Sequence, residues 1–372
     1  MSCKASALFT KNLIKAAPVL VSQKKISRSS SKIRAIIVNS GCANACTGKK
    51  GVKDAEKMCN ITAKCLNINP EQVLVASTGV IGEFLPMKRI INGIKNLTSS
   101  LKHSPVEAVK SIMTTDTSPK FCSRKFYIGK KEINIWGCVK GSGMIHPELD
   151  FTPKSMATLL CFIFTDINIS RKLQDLALKQ AIDNTLNCIS IDGDTSTNDS
   201  VFLLSNGLAE NKIINSKKDE NFRKFCNALN SLCYELSKKV VLDGEGATKF
   251  VKIKIISARD RMSAKKIAKT IATSPLVKTA IFGCDPNWGR IMAALGRSGV
   301  KINPEKIDLF INGFCVAKNG VTTDLSPVKL KKTLRKKEVE IKLSLNSGKV
   351  DFEYWTCDLT YDYVKINASY RT

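Results

Sequence analysis

Only two of the 372 residues are histidines. A Ser/His/Asp relay or a histidine-ligated metal centre therefore has little to draw on. Aromatic residues make up 6% of the chain, and acidic residues are outnumbered, with 32 Asp plus Glu against 59 Lys plus Arg and a net charge of +27. An excess of this kind suits nucleic acid or an anionic membrane where the basic residues gather; here the lysines are scattered along the chain, as on a solvated face. No apolar run approaches the ~20 residues of a membrane span, and the opening "MSCKASALFTKN" has no long apolar core of a secretory signal. The P-loop, GxGxxG and GxSxG patterns are missing. So is any CxxC pair: the 14 cysteines sit singly, often inside apolar runs (Cys138, Cys161, Cys315), which is the habit of reduced, buried thiols. The sequence thus predicts no metal site, no nucleic-acid partner and no membrane span. The expected compartment is the cytoplasm, or an organelle if a targeting segment lies upstream.

What is present alternates between strand-like and helix-like runs. "RAIIVNSG" precedes a Gly/Asn/Cys loop and the amphipathic "KDAEKMCNITAKCL"; "VLVAS" precedes the turn "TGVIG". Pro86 opens a helix with Met87, Ile90, Ile91, Ile94 and Leu97 on one face. Phe222, Phe225, Cys226, Leu229, Leu232, Cys233 and Leu236 stripe a second, long helix, followed by "DGEGATK" and the strand "FVKIKIIS". Later strands are predicted at "DLFINGFCV", "EVEIKLSL" and "YDYVKIN", with a basic helix at "SPVKLKKTLRKK". The class is α/β, with no internal repeat.

Six stretches carry more Gly, Thr, Asn and Asp than a turn needs: "NSGCANACTG", "STGVIG", "MTTDTSPK", "IDGDTSTNDS", "DGEGATK" and "CDPNWGR". Each alone reads about twice as readily as a capped helix start or an Asx-turn as it does as a binding loop. Most lie at strand ends, where α/β folds place ligands. With histidine scarce, a nucleophile that works without it is attractive, and a threonine can use its own α-amine as base once the preceding peptide bond is cut. An α-amino pKa near 8 suits proton transfer at neutral pH. Thr158, after the small residue Ala157 and directly before an apolar run, meets that description.

In this order, "NSGCANACTG", "ASTGVIG", "MTTDT", "KGSGMI", "MATLL", "DGDTSTND", "GEGATK", "DPNWGR" and "CDLTYDYVKINASYRT" resemble the glutamate N-acetyltransferase / ornithine acetyltransferase family of arginine biosynthesis, the ArgJ family, from Phe9 to Thr372. The resemblance implies a layered α-β-β-α fold like that of N-terminal-nucleophile hydrolases. It also implies self-cleavage between Ala157 and Thr158 into an alpha chain, 1–157, and a beta chain, 158–372, which stay together and pair again as a heterotetramer. Thr158 would be the nucleophile that takes acetyl from N-acetylornithine and passes it to glutamate. Thr78 and Gly79 would form the oxyanion hole. Thr114, Lys140, Glu245, Asn367 and Thr372 would contact substrate, with Lys140 suited to an α-carboxylate and Glu245 to the ornithine ammonium. No bound cofactor is implied; acetyl-CoA enters as a co-substrate in some members. Asp192, Asp194 and Asn198 are read as loop architecture.

Two departures accompany the resemblance. Relatives carry roughly thirty further residues before "LFTKNLIKAAPV", a segment whose lack could leave a sheet edge open. "HPELDFTPKS" runs about seven residues longer than the family stretch, as surface loops tolerate. Two other readings stay open on the residues alone: a self-processing aminopeptidase of the same fold, and an uncut, catalytically decayed basic homologue.

Overall fold

A computed structural model describes residues 2–29, 32–102, 104–151 and 159–369. Its strands, in chain order, are β1 (Lys4–Phe9), β2 (Ala35–Asn39), β3 (Val73–Ser77), β4 (Lys120–Ile128), β5 (Lys131–Lys140), β6 (Leu160–Thr165), β7 (Ile189–Ser190), β8 (Ser200–Ser205), β9 (Phe250–Ala258), β10 (Asp308–Ile311), β11 (Phe314–Lys318), β12 (Val321–Thr322), β13 (Glu338–Ser344) and β14 (Val350–Cys357). The fold is mixed α/β, in two compact units.

The first unit holds residues 1–187 and 194–240. Its larger sheet has the order β1-β8-β6-β5-β4, in which β6 and β8 run parallel and the other pairs antiparallel. On one face of that sheet Leu160, Phe162, Phe202 and Leu204 pack with Phe9 and Cys138, and the Phe162 and Phe202 rings stack at 5.7 Å. The other face is buried too, with Cys161, Ile163, Val201 and Leu203 enclosed, so the two central strands read as continuous apolar runs. Gly137 on β5 lets the long helix Glu220–Leu242 approach, since a Cβ there would stand 2.8 Å from Leu232 Cδ2. A separate parallel pair, β2 with β3, runs in register from Ala35 opposite Val73 to Asn39 opposite Ser77. Helices Gly48–Leu66 and Met87–Ser99 cover it through Ala55, Met58, Cys59 and Ile94.

The second unit holds residues 188–193 and 241–371, built on the sheet order β12-β11-β10-β13-β9-β14-β7. The parallel pair β9 and β13 forms its centre, and Ile253, Ile255, Ile341 and Leu343 pack against Ile267 and Ile271 of the helix Arg261–Ala272.

Two sequence-based expectations are corrected. "YDYVKIN" belongs to a helix, Tyr361–Ser369, because Thr360 accepts the Tyr363 N–H and Asp362 stands in the first turn, where the helix dipole favours an acid. "DLFINGFCV" is two strands, β10 and β11: Asn312 and Gly313 both lie in the left-handed region, at φ 48° and 85°, and close a two-residue hairpin with Ile311 opposite Phe314. On the helix after Pro86, Ile94 is buried while Leu97 is 59% exposed, so the apolar face is covered only along its first turns.

Candidate active site

The site in the first unit begins where β2 and β3 end. Asn39 and Ser77 are the last residue pair of that parallel ladder. The Asn39 carbonyl accepts the Thr78 N–H at 3.1 Å, so the chain leaves β3 with Thr78 pinned and buried. Gly79 follows at φ +126°, and a Cβ there would lie 2.3 Å from the Gly41 carbonyl carbon and 2.5 Å from the Cys42 nitrogen. Only glycine fits both the dihedral and the close passage of the neighbouring loop. The two loops interlock, with Val80 N–H donating to Gly41 and Ala43 N–H to Val80. Among the described residues nothing accepts the Gly79 N–H.

Asn198 fastens this junction from β8's side. Its amide nitrogen donates to the Ala43 carbonyl at 2.6 Å and to the Ser77 carbonyl at 2.8 Å. The expected architectural role of Asn198 thus has a geometry: it ties both loops to the sheet immediately before Thr78.

Lys140, the last residue of β5, is 4% exposed. Its ammonium donates to Thr114 Oγ1 at 2.7 Å and to Thr78 Oγ1 at 3.1 Å. A hydroxyl oxygen that accepts from an ammonium has its own proton directed elsewhere, which leaves Thr78 able to donate. Three of the residues expected from the sequence, Thr78, Thr114 and Lys140, therefore meet at one ammonium, with Gly79 next in the chain.

Asp116, which the sequence reading passed over inside "MTTDT", organises that meeting. Its side chain is fully enclosed. One oxygen accepts the Lys120 ammonium at 2.6 Å and the Gly141 N–H at 2.7 Å; the other accepts the Thr114 N–H at 3.2 Å and lies 3.8 Å from the Lys140 ammonium. Burial pushes the Asp116 carboxyl up, but Lys140, Lys120 and the hydrogen bonds from Lys120 and Gly141 together hold it below the usual carboxylate range. The only signal in the sequence was the i,i+4 spacing of Asp116 and Lys120, which is common at turns.

In the second unit, two further expected residues come together. Glu245 is buried, and its Oε2 accepts the Asn367 side-chain amide at 2.8 Å. The C-terminal helix that carries Asn367 is tied to the same loop by Thr360 Oγ1, which donates to the Gly246 carbonyl at 2.8 Å. Ala157, Thr158 and Thr372 lie outside the described residues. Leu159, which follows Thr158, is buried; its carbonyl accepts the Ser200 N–H at 2.9 Å, and its Cα would lie 3.9 Å from a Cβ built on Gly141. No group of His, Cys, Asp and Glu among the described residues is arranged to hold a metal ion. No described helix is long and apolar enough to cross a membrane.

The profile described as "ArgJ family" matches residues 1–372. The Thermotoga neapolitana protein named "Arginine biosynthesis bifunctional protein ArgJ" is 47% identical over 374 residues, covering 100% of this chain and 92% of its own length. A Dictyostelium discoideum relative whose name adds "mitochondrial" is 42% identical over 389 residues, covering 100% of this chain and 86% of its own. The crystal structure of the Bacillus halodurans protein of the same name is similar at a TM-score of 0.54 and 41% identity, covering 56% of this chain and 98% of that one.

Proposed function

The chain belongs to the ArgJ family, and from that premise we propose that it is an acyltransferase of arginine biosynthesis that moves acetyl from N-acetylornithine to glutamate through Thr158. The observation that carries the reading is the buried Lys140 ammonium shared by Thr78 and Thr114, one residue from an unaccepted Gly79 N–H. We read Thr78 and Gly79 as the oxyanion hole, beside a fixed cation.

In this reading Thr158 Oγ attacks the Ala157 carbonyl, and hydrolysis of the resulting ester releases the Thr158 α-amine. The amine then takes the hydroxyl proton as Thr158 Oγ attacks the acetyl carbonyl of N-acetylornithine. Thr78 O–H and Gly79 N–H hold the tetrahedral oxygen, and ornithine leaves with the proton. The amine of glutamate attacks the acetyl ester next, regenerating Thr158. Lys140 holds the α-carboxylate common to donor and acceptor. Glu245 faces the ornithine side-chain ammonium, with Asn367 fixing its orientation, and Thr372 completes the substrate contacts. Acetyl-CoA serves as an alternative donor, in keeping with the word "bifunctional" in the relatives' names. The chains 1–157 and 158–372 stay associated and pair again as a heterotetramer, in the cytoplasm or an organelle interior.

Incubating the purified enzyme with N-acetylornithine alone and weighing its chains tests the route. One acetyl group on the chain beginning at Thr158, discharged by glutamate, supports it. Acetyl transfer at full rate by Thr158→Ala would exclude it.

A further inference from the structure

The lysines are spread over most of the chain, but in the second unit several gather in one groove. It encloses about 610 Å³ and lies beyond the ends of the two central parallel strands, β9 and β13. Arg259 follows β9, Lys266 stands on the helix Arg261–Ala272, and Lys301 and Lys306 lie on the segment before β10; all four line the groove. No acidic side chain is among the lining residues. The acids at its margin are taken up. Asp260 accepts the Ser263 N–H and hydroxyl, both at 2.8 Å, and pairs with Arg259 at 3.3 Å. Asp308 accepts the Asn319 N–H at 2.9 Å and the Asn346 amide at 3.0 Å. Lys266 donates to the Gly299 carbonyl at 3.2 Å, and the Lys301 and Lys306 ammoniums have no partner among the described residues. Three cations are therefore left without a counter-charge around one concave surface.

The walls of the groove are fixed to one another. Asn346, in the turn after β13, donates its side-chain amide to the Lys306 carbonyl at 2.8 Å, and the Ser347 N–H donates to the Ser257 carbonyl at 2.9 Å. A Cβ on Gly348 would stand 2.3 Å from the Ala258 carbonyl oxygen, so only glycine lets this turn pack so closely on the end of β9. Apolar side chains make up the rest of the lining: Met262, which is 80% exposed, with Val300, Ile302 and Leu345. Small-molecule sites occupy roughly 300–1,000 Å³, and the crevice beyond the carboxyl ends of parallel strands is where α/β sheets take ligands. The Glu245 loop lies before the other end of β9, and the nine residues of that strand span about 26 Å. A ligand in the groove is therefore remote from Glu245 and Asn367.

We propose that this groove is a second ligand site, and that it takes a nucleoside diphosphate or triphosphate. A single phosphate group, with a charge of about −1.5 to −2, answers only part of the positive lining and fills only part of the space. Two or three linked phosphates match Lys266, Lys301 and Lys306, which present ammoniums as point charges to phosphate oxygens. The exposed Met262 and the apolar Val300 and Ile302 give the nucleoside a surface to lie on. The site binds and does no chemistry. It does not rest on the acetyl-transfer reading, and its failure would leave that reading intact.

The test is isothermal titration of the purified full chain with ADP at about 0.15 M salt, where exposed charges are screened beyond about 8 Å. One saturable site is expected. Lys301 and Lys306 are exposed and bond to nothing described, so the double variant Lys301→Ala/Lys306→Ala keeps its fold and should bind ADP ~10-fold or more weakly. Lys329→Ala/Lys331→Ala, on the exposed face of the helix Pro327–Leu334, removes the same charge elsewhere and should bind as wild type does. No saturable heat, ADP affinity unchanged in the groove variant, or equal weakening in both variants would overturn the proposal. Pyrophosphate bound as tightly as ADP would leave the nucleoside without a role and overturn the nucleotide assignment. Tighter binding of a single-stranded oligonucleotide than of ADP, lost in the groove variant, would make the groove a nucleic-acid contact instead.

Discussion

Lys140 illustrates how one buried charge is kept useful. A buried ammonium needs compensation, yet a fully neutralised one attracts no ligand. Here Asp116 lies closer to Lys120, at 2.6 Å, than to Lys140, at 3.8 Å. Lys140 instead donates to the two hydroxyls of Thr78 and Thr114. Lys140→Met should raise KM for N-acetylornithine and glutamate alike, by ~10- to 100-fold, the worth of a charged hydrogen bond. A rise for one substrate only would place Lys140 off the shared carboxylate. If Thr78 is an oxyanion donor as proposed, Thr78→Val removes it at nearly constant shape and should lower kcat by about 100- to 1000-fold, with the melting temperature little changed. Asp116→Asn removes the carboxylate that Lys120 and Lys140 both face and should cost about 3–5 kcal/mol in denaturant unfolding. The sign with pH follows. A carboxyl held below its unfolded value of about 3.9 contributes stability above that value, lost as pH falls through the folded one. Stability of the wild type should therefore drop faster than that of Asp116→Asn over this acid window. Thr78, Gly79, Thr114 and Lys140 were expected only through the family resemblance of the motifs that carry them, since each residue alone reads as an ordinary turn or surface position. Asp116 was not. Its role depends on which donors reach it, and in the motif it reads as an ordinary turn acid.

At the scale of elements, periodicity served where one face is buried and failed where none is. β2, β3, β9, β13 and the helix Glu220–Leu242 follow their apolar patterns because a sheet or helix covers them. The helix Tyr361–Ser369 buries no residue, so no stripe marks its face, and its aromatic and β-branched content reads as strand. Its cap is the better signal, with Thr360 ahead of Asp362 and Tyr363. Thr360 also reaches the Gly246 carbonyl and so links the helix to the Glu245 loop. Thr360→Ala should destabilise the helix by ~1 kcal/mol. If Glu245 and Asn367 act as read above, it should also raise KM for N-acetylornithine while the glutamate KM stays put; equal changes in both would detach this helix from the ornithine side.

For the whole chain, the arrangement of strands answers how a cut protein would stay assembled. The order β1-β8-β6-β5-β4 takes β1, β4 and β5 from before Ala157 and β6 and β8 from after Thr158. The β1–β8 and β5–β6 ladders would then cross between the two chains, over a core shared by Phe9, Cys138, Phe162 and Phe202. Fragments 1–157 and 158–372 should co-elute in native size exclusion and separate only in denaturant; separation without denaturant would contradict that sharing. The measurement that bears most directly on the account is the intact mass of the purified chain under denaturing conditions. Two masses, the second beginning at Thr158, are predicted. A single full-length mass from a preparation that transfers acetyl would contradict the threonine route.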